Sequence, residues 1–186
     1  QVHPDDDYAI ANEGQYGKNE VWYVIDCEPD SYLYCGFNRD VTKEEVLKRI
    51  EDDTILEVLN KIPVSKGDVY FIKTGTVHAI GAGIVICEIQ QSSTCTYRLY
   101  DFNRKDKFGD PRELHINKAL DVMNFSKYCP EKIDEGVVNA EGYTKRTISL
   151  CKYFECSLVD IESSARIMGV EESFTSFLCI EGSGSI

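Results

Sequence analysis

GTVHAIGAGIVICEIQQSSTCTYRLYDFNR, residues 75–104, is the stretch whose reading decides the fold. A Gly-Thr turn sets His78 just behind it, and Gly81-Ala82-Gly83 turns the chain again. Ile84-Val85-Ile86-Cys87-Glu88-Ile89 is a run of strand formers, followed by a polar turn from Gln90 to Thr94. Thr96-Tyr97-Arg98-Leu99-Tyr100 then reads as a second strand, with one arginine among aromatic and apolar neighbours. A histidine at a strand mouth with an arginine on the next strand makes one wall of a small-molecule pocket. Further metal-ligand residues elsewhere in the chain would complete such a pocket.

Upstream, Val64 to Asp68 turns into a strand at Val69-Tyr70-Phe71-Ile72. Glu20 to Cys27 (EVWYVIDC) reads as a central strand, and Tyr32 to Phe37, after the Glu28–Ser31 turn, as its hairpin partner. Gln1-Val2-His3 shows brief alternation before a Pro4-Asp5 turn, and a Gly- and Asn-rich loop covers 12–19. Thr42 and Glu45 form a capping box, and Val46, Leu47, Ile50, Ile55, Leu56 and Leu59 recur at helical spacing. A small helical insertion is therefore expected over about residues 43–60, ended by Pro63.

Downstream, Leu114 to Met123 has helical periodicity, and 126–142 reads as a connecting loop. Residues 147–150, 154–159 and 176–180 read as three more strands. Short strands joined by Gly-containing turns point to a mainly β protein, a sandwich or barrel. A weak internal echo between the strand at 23–25 and the run 177–184 marks the start of a second barrel. The organisation expected is a first barrel over 1–125, a connection over 126–142 and the start of a second barrel over 143–186.

Composition bounds the function. The 186 residues suit one domain, or one and part of another, and 42% hydrophobic content suffices for a core. A net charge of -12 argues against nucleic acid and against an anionic membrane surface, both of which need clustered cations. The eight cysteines form no C-x-x-C pair and read as reduced thiols of a cytoplasmic protein. The chain starts with Gln1 and stops at Ile186 inside an expected strand, so both ends read as cut.

Three strong metal-ligand candidates fall at strand mouths: His3, Glu20 and His78, with Gln1 two residues before His3. Residues two apart on a strand share a face, so Gln1 and His3 can serve one ion. Two histidines and a carboxylate suit a catalytic zinc with an open position. The same set is the facial triad of non-haem iron oxygenases, and ligand type does not choose between them. His115 lies in the helical segment and reads as structural.

Four motifs in one order carry a resemblance. They are Gln1-Val2-His3-Pro4-Asp5-Asp6, Gly17-Lys18-Asn19-Glu20-x-Trp22-Tyr23, Gly75-x-x-His78-Ala79, and Glu88-Ile89-Gln90-Gln91-Ser92 followed by Thr96-Tyr97-Arg98-x-Tyr100-Asp101. Together the chain resembles the type I mannose-6-phosphate isomerases in their shorter bacterial form. The resemblance implies a cupin-type β-barrel (jelly roll) binding one zinc ion through Gln1, His3, Glu20 and His78. It places the family's essential arginine on Arg98 and its motif lysine on Lys18, and a sugar phosphate as the small-molecule partner. Glu88 is expected to point inward beside Arg98, as a base or as a salt-bridge partner. A homodimer is compatible with the resemblance. Thr94-Cys95 departs from the acidic or amide residue followed by Thr that the family pattern has before Tyr97-Arg98. Family members also begin well before Gln1 and continue past Ile186. The alternatives from other classes are an iron oxygenase on the same ligands and a non-catalytic sugar-phosphate or metal-binding module.

Overall fold

The computed structural model describes residues 1–130, 136–169 and 171–185, and the chain divides into two compact units, Gln1–Lys132 and Ile133–Ile186. In chain order the first unit holds α1 (Asp6–Glu13), β1 (Glu20–Cys27), β2 (Tyr32–Phe37), α2 (Lys43–Glu51), β3 (Leu59–Pro63), β4 (Val69–Ile72), β5 (His78–Ile80), β6 (Ile84–Gln90) and α3 (Ile116–Val122). The second unit holds β7 (Val137–Ala140), β8 (Tyr143–Leu150) and β9 (Glu155–Ile161).

Strands outnumber helices and pair antiparallel throughout, in three three-stranded sheets ordered β4-β1-β6, β3-β2-β5 and β7-β8-β9. The mainly β reading holds. β1 runs down the middle of its sheet, as its density of β-branched and aromatic residues predicts. Its Trp22 and Val24 pack with Leu33 and Cys35 of β2 and with Ile72, forming one apolar core. Tyr34, on the other face of β2, joins a second core with Val46 and Ile50 of α2, Ile55, and Ala119 and Leu120 of α3. The helical insertion thus covers the outer face of the second sheet, since its buried side chains recur at the spacing of one helix face. Thr42 caps α2 by accepting from the Glu45 amide at 3.2 Å.

Several expectations change. β2 is not the hairpin partner of β1: β1 pairs with β4 and β6, β2 with β3 and β5. The Glu28–Ser31 turn, with Asp30 at φ 63°, carries the chain from one sheet to the other, because both strands bury apolar residues that each sheet needs at its centre. The helical insertion shortens to α2 and one 3₁₀ turn, and Leu59 onward becomes β3. The stretch read as a Pro-Asp turn and loop opens with α1, where Asp5 accepts from the Tyr8 amide at 2.9 Å and Gly14 closes the helix at φ 65°.

Thr96–Tyr100 is tied to its neighbours by a single bridge, Val2 to Tyr97. Arg98 meets His115 instead, its amide donating to His115 Nδ1 at 3.2 Å and its carbonyl accepting from the His115 amide at 2.7 Å. The expected loop at 126–142 includes β7. The expected strand at 176–180 has no ladder partner among the described residues, and Phe177 and Leu178 are exposed. High β propensity makes a strand only where a neighbour accepts the pairing.

Candidate metal centre

The centre lies between the first two sheets. Glu20 opens β1 on the face shared by Trp22 and Val24, toward the core between the sheets. His78 opens β5 and is paired across from Cys35, whose side chain belongs to that same core. His3 arrives on a short extended segment stitched on both sides. Val2 exchanges backbone hydrogen bonds with Tyr97 at 2.9 Å each, while the His78 amide donates to the Gln1 carbonyl at 2.9 Å and the Gly75 amide to the His3 carbonyl at 2.8 Å. Gly75 turns at φ 82°, a conformation natural to glycine, to bring His78 and this segment together.

Gly17 serves the other side. A Cβ there would lie 2.5 Å from the Asp5 carbonyl carbon, so only glycine lets the loop pass this close. The Lys18 amide then donates to the Pro4 carbonyl at 3.1 Å, locking the loop that carries Lys18 and Glu20 to the His3 segment.

His3, Glu20 and His78 are fully buried and offer ligand atoms all within 4.8 Å of one another. His3 Nε2 lies 3.2 Å from Glu20 Oε1, and His78 Nε2 lies 3.6 Å from Glu20 Oε2. Each imidazole is oriented from behind: His3 Nδ1 lies 2.8 Å from the Cys95 carbonyl, and His78 Nδ1 lies 2.8 Å from the Thr76 carbonyl. A carbonyl oxygen only accepts, so both Nδ1 atoms carry hydrogen and both Nε2 lone pairs face the cluster. This is the outer-shell arrangement typical of metal-ligating histidines. Gln1 joins them, its amide nitrogen 3.0 Å from His78 Nε2; turned over, the amide presents its oxygen there. The Lys18 ammonium sits 2.8 Å from Glu20 Oε1.

The electrostatics suit a cation. Burial opposes ionisation of Glu20, but the imidazoles and the Lys18 ammonium outweigh it and hold the carboxyl below the usual carboxylate range. Burial, above all, keeps His78 neutral, pulling its pKa down to about 3. His3 Nε2 and both Glu20 oxygens are buried without completing a directional hydrogen bond. Buried polar atoms are rarely left so, and a divalent ion satisfies all of them at once. Of the four donors read from the sequence, His3, Glu20 and His78 converge in a way that fits such an ion, and Gln1 adjoins them through His78.

The other candidates spread around this point. Arg98 Nη1 donates to the Glu113 carbonyl at 2.8 Å, and Nε lies 3.9 Å from Asp101. Glu88 is paired across from Trp22, on the same face, but is exposed, and its carboxylate accepts the Trp22 indole N–H at 2.9 Å. Trp22 in turn meets the His78 ring edge-on, centroids 5.3 Å apart. Glu88 therefore reaches the centre through Trp22, whereas Arg98 turns to Asp101.

Sequence reading missed the residues that fix these groups. Gln91 Oε1 accepts from the Asn19 amide at 2.8 Å and from its side chain at 2.7 Å, while Asn19 Oδ1 accepts from Thr74. The pair anchors the start of β1, and so Glu20. Asp101 gathers three arginines: Arg104 Nη2 at 2.6 Å, Arg112 through two donors, and Arg98. Asn19, Gln91 and Asp101 lie inside the motifs of the sequence, but which polar residue meets which is a non-local fact.

A mainly β, cupin-type architecture with two imidazoles and a carboxylate converging in its core defines a candidate metal-site protein. No family model matches the chain. It is 40% identical over 185 residues to mannose-6-phosphate isomerase ManA of Bacillus subtilis, covering 99% of this chain and 58% of that protein. Over 127 residues, 68% of the chain, it is 46% identical to the mannose-6-phosphate isomerase of Streptococcus mutans, covering 40% of that protein. The crystal structure of the mannose 6-phosphate isomerase from Bacillus subtilis superposes with a TM-score of 0.80 at 38% identity, covering 86% of this chain and 51% of that one. The chain is thus similar over nearly its whole length to mannose-6-phosphate isomerases, and it spans well under two thirds of the length of these relatives.

Proposed function

We propose that this chain carries the catalytic centre of a zinc-dependent isomerase interconverting mannose 6-phosphate and fructose 6-phosphate through an enediol. The observation that carries the reading is the buried cluster of His3, Glu20 and His78, with both Nε2 lone pairs and both carboxylate oxygens turned to one point. Kinship with the mannose-6-phosphate isomerases supplies the substrate class.

Gln1, His3, Glu20 and His78 would hold the ion. When bound, zinc supplies Lewis-acid polarisation of the sugar oxygens at the reacting carbons. The chain's own residues do the rest. Moving a proton between C1 and C2 needs stabilisation of a developing enediolate and cations for the phosphate. Lys18, at the edge of the cluster, brings a positive charge beside the sugar oxygens. Arg98 holds an anionic oxygen with its fork of donors, oriented by the Glu113 carbonyl and Asp101. Glu88, on the same face and bonded to Trp22, is the carboxylate we carry as candidate base or orienting group.

Residues 143–186 we take as the start of a second cupin-like barrel, a reading supported by the antiparallel pairing of β8 with β9 and β7. No helix among the described residues is long and apolar enough to cross a membrane. A cytoplasmic location is supported by eight cysteines, none of which forms a disulfide among the described residues.

The test is isomerisation of mannose 6-phosphate by the zinc-loaded chain, with Arg98→Ala as control. We expect turnover that falls by about 10²–10³-fold in the variant, the size of effect seen when one preorganised donor to a developing oxyanion is removed. A zinc-loaded chain that binds the sugar phosphate yet leaves it unchanged would overturn the isomerase reading.

A further inference from the structure

Arg98 lies in an extended segment whose two edges are held by different means. Successive residues of such a segment turn their backbone groups to opposite sides, so Tyr97 faces one neighbour and Arg98 the other. On the first side Tyr97 exchanges backbone hydrogen bonds with Val2 at 2.9 Å each. That antiparallel bridge sets Gln1 across from Arg98. Gln1 in turn exchanges backbone hydrogen bonds with His78, at 3.1 Å and 2.9 Å. His78, Gln1 and Arg98 therefore form a cross-strand row, and residues opposite one another share a face. Arg98 belongs to the face that carries the metal-ligand side chains.

On the second side no strand arrives among the described residues. The partner is His115, at the N-cap of α3, and it takes both backbone groups of Arg98. The Arg98 amide donates to His115 Nδ1 at 3.2 Å, and the His115 amide donates to the Arg98 carbonyl at 2.7 Å. In a hydrogen-bonded antiparallel pair both bonds run between backbones. Here a ring nitrogen stands where the partner's carbonyl oxygen would be. An amide N–H only donates, so Nδ1 is the acceptor and Nε2 of the neutral ring carries the hydrogen, 3.9 Å from Glu113 Oε2. Glu113 adds a third hold, its carbonyl accepting from Arg98 Nη1 at 2.8 Å. The clamp is itself anchored. The His115 carbonyl accepts from the Ala119 amide at 2.9 Å, and Ala119 and Leu120 are buried in one core with Val2 and Tyr97. The His115 side chain makes no capping bond to its own helix; its acceptor is spent on Arg98.

We propose that His115 is a positioning residue for Arg98, its ring fixing the Arg98 backbone so that the guanidinium stands beside the metal ligands. The proposal rests on the isomerase reading, in which Arg98 holds an anionic oxygen. His115 acts there through Arg98 alone. What the arrangement requires of residue 115 is one neutral acceptor at the place of Nδ1. Asparagine offers it, since its Oδ1 is as many bonds from the backbone as Nδ1, whereas glutamine carries its oxygen one bond further out.

The zinc-loaded chain and its variants would be compared in turnover of mannose 6-phosphate and in zinc content. For His115→Ala we expect turnover roughly tenfold lower, the worth of one hydrogen bond to a backbone amide, with zinc content unchanged. His115→Asn restores turnover and His115→Gln does not. In the Arg98→Ala background His115→Ala costs nothing more, as a residue acting through another must. A second readout needs no turnover: NMR relaxation of the Arg98 Nε–H group, assigned by its disappearance in Arg98→Ala. This group is rigid in the parent and in His115→Asn, and loosens in His115→Ala and His115→Gln.

Equal behaviour of His115→Asn and His115→Gln overturns the role of Nδ1, and this comparison stands even where His115→Ala fails to fold. Losses that multiply in the double variant, or an Arg98 side chain equally rigid in every variant, overturn the action through Arg98. A parent that isomerises mannose 6-phosphate while His115→Ala is fully active sinks the proposal and leaves the isomerase standing. A parent without turnover, whose Arg98 loosens as expected, does the reverse.

Discussion

Two buried carboxylates organise the first unit, and they are used in opposite ways. Glu20, with no exposed surface, is surrounded by two imidazoles and an ammonium but completes no directional hydrogen bond. Asp101, 7% exposed, is filled by Arg104 and Arg112, with Arg98 beyond them. Both are held ionised below the ordinary carboxylate range. The difference is in what remains unbonded. Asp101's partners already satisfy its lone pairs, so it is a brace for the turn at 101–104 and for Arg98. Glu20's surroundings supply charge without satisfying its oxygens, and the nearby lone pairs of His3 and His78 have the same need. Beside Glu20 the arrangement fits an ion; beside Asp101 it does not.

Chelation gives the sharpest contrast. Stripping the ion should abolish activity completely, and zinc added back should restore it, while the far-UV signature of the fold persists. Stability should fall as well, since an ion present at a thousand times its Kd contributes about 4 kcal/mol to the folded state. Activity that survives exhaustive chelation would erase the distinction between the two carboxylates.

Asp101→Asn probes the other side with a smaller effect. Its arginine partners are partly exposed, so the loss should be about 1 kcal/mol, measured by denaturant unfolding, with zinc content unchanged. The pH dependence has a definite sign. The hydrogen bond to Arg112 holds Asp101 at about 2 against an ordinary value of 3.8, despite the opposing effect of burial. A depressed carboxyl stabilises above its unfolded pKa and loses that contribution as pH falls through the folded one. The parent's advantage over Asp101→Asn should be constant above the ordinary value and vanish as pH approaches the depressed one. An advantage that grows on acidification would contradict the brace.

The two sites also differ in how far they could be read from the sequence. The candidate ligands of the metal centre were legible because each sits at a strand mouth in a Gly- or Pro-flanked turn, and because Gln1 and His3 are two apart. β1, β4 and β6 were legible for the same local reasons. Partnerships were not. Nothing in Glu20–Cys27 says that it pairs with Val69–Ile72 and Ile84–Gln90 rather than with the next strand, because register is settled by which faces must be buried together.

α1 was missed although its signals were present, Asp5 at the N-cap, Asp6 and Asp7 in the first turn, and Gly14 after the end; the Pro-Asp pair masked them. The histidines show the same limit. His115 uses Nδ1 to accept from the Arg98 amide, whereas Nδ1 of His3 and of His78 donates to a carbonyl. One tautomer builds backbone structure and the other presents a ligand, a difference written only in the contacts.

Calorimetric titration of the metal-free chain with zinc, beside the same titration of Glu20→Gln, tests the central claim most directly. The glutamine keeps the shape of the side chain and removes its charge. One zinc bound per parent chain, and none to a Glu20→Gln chain that folds normally, is the result expected. Equal stoichiometry and affinity in the two proteins would place the metal elsewhere and leave His3, Glu20 and His78 without the role assigned to them.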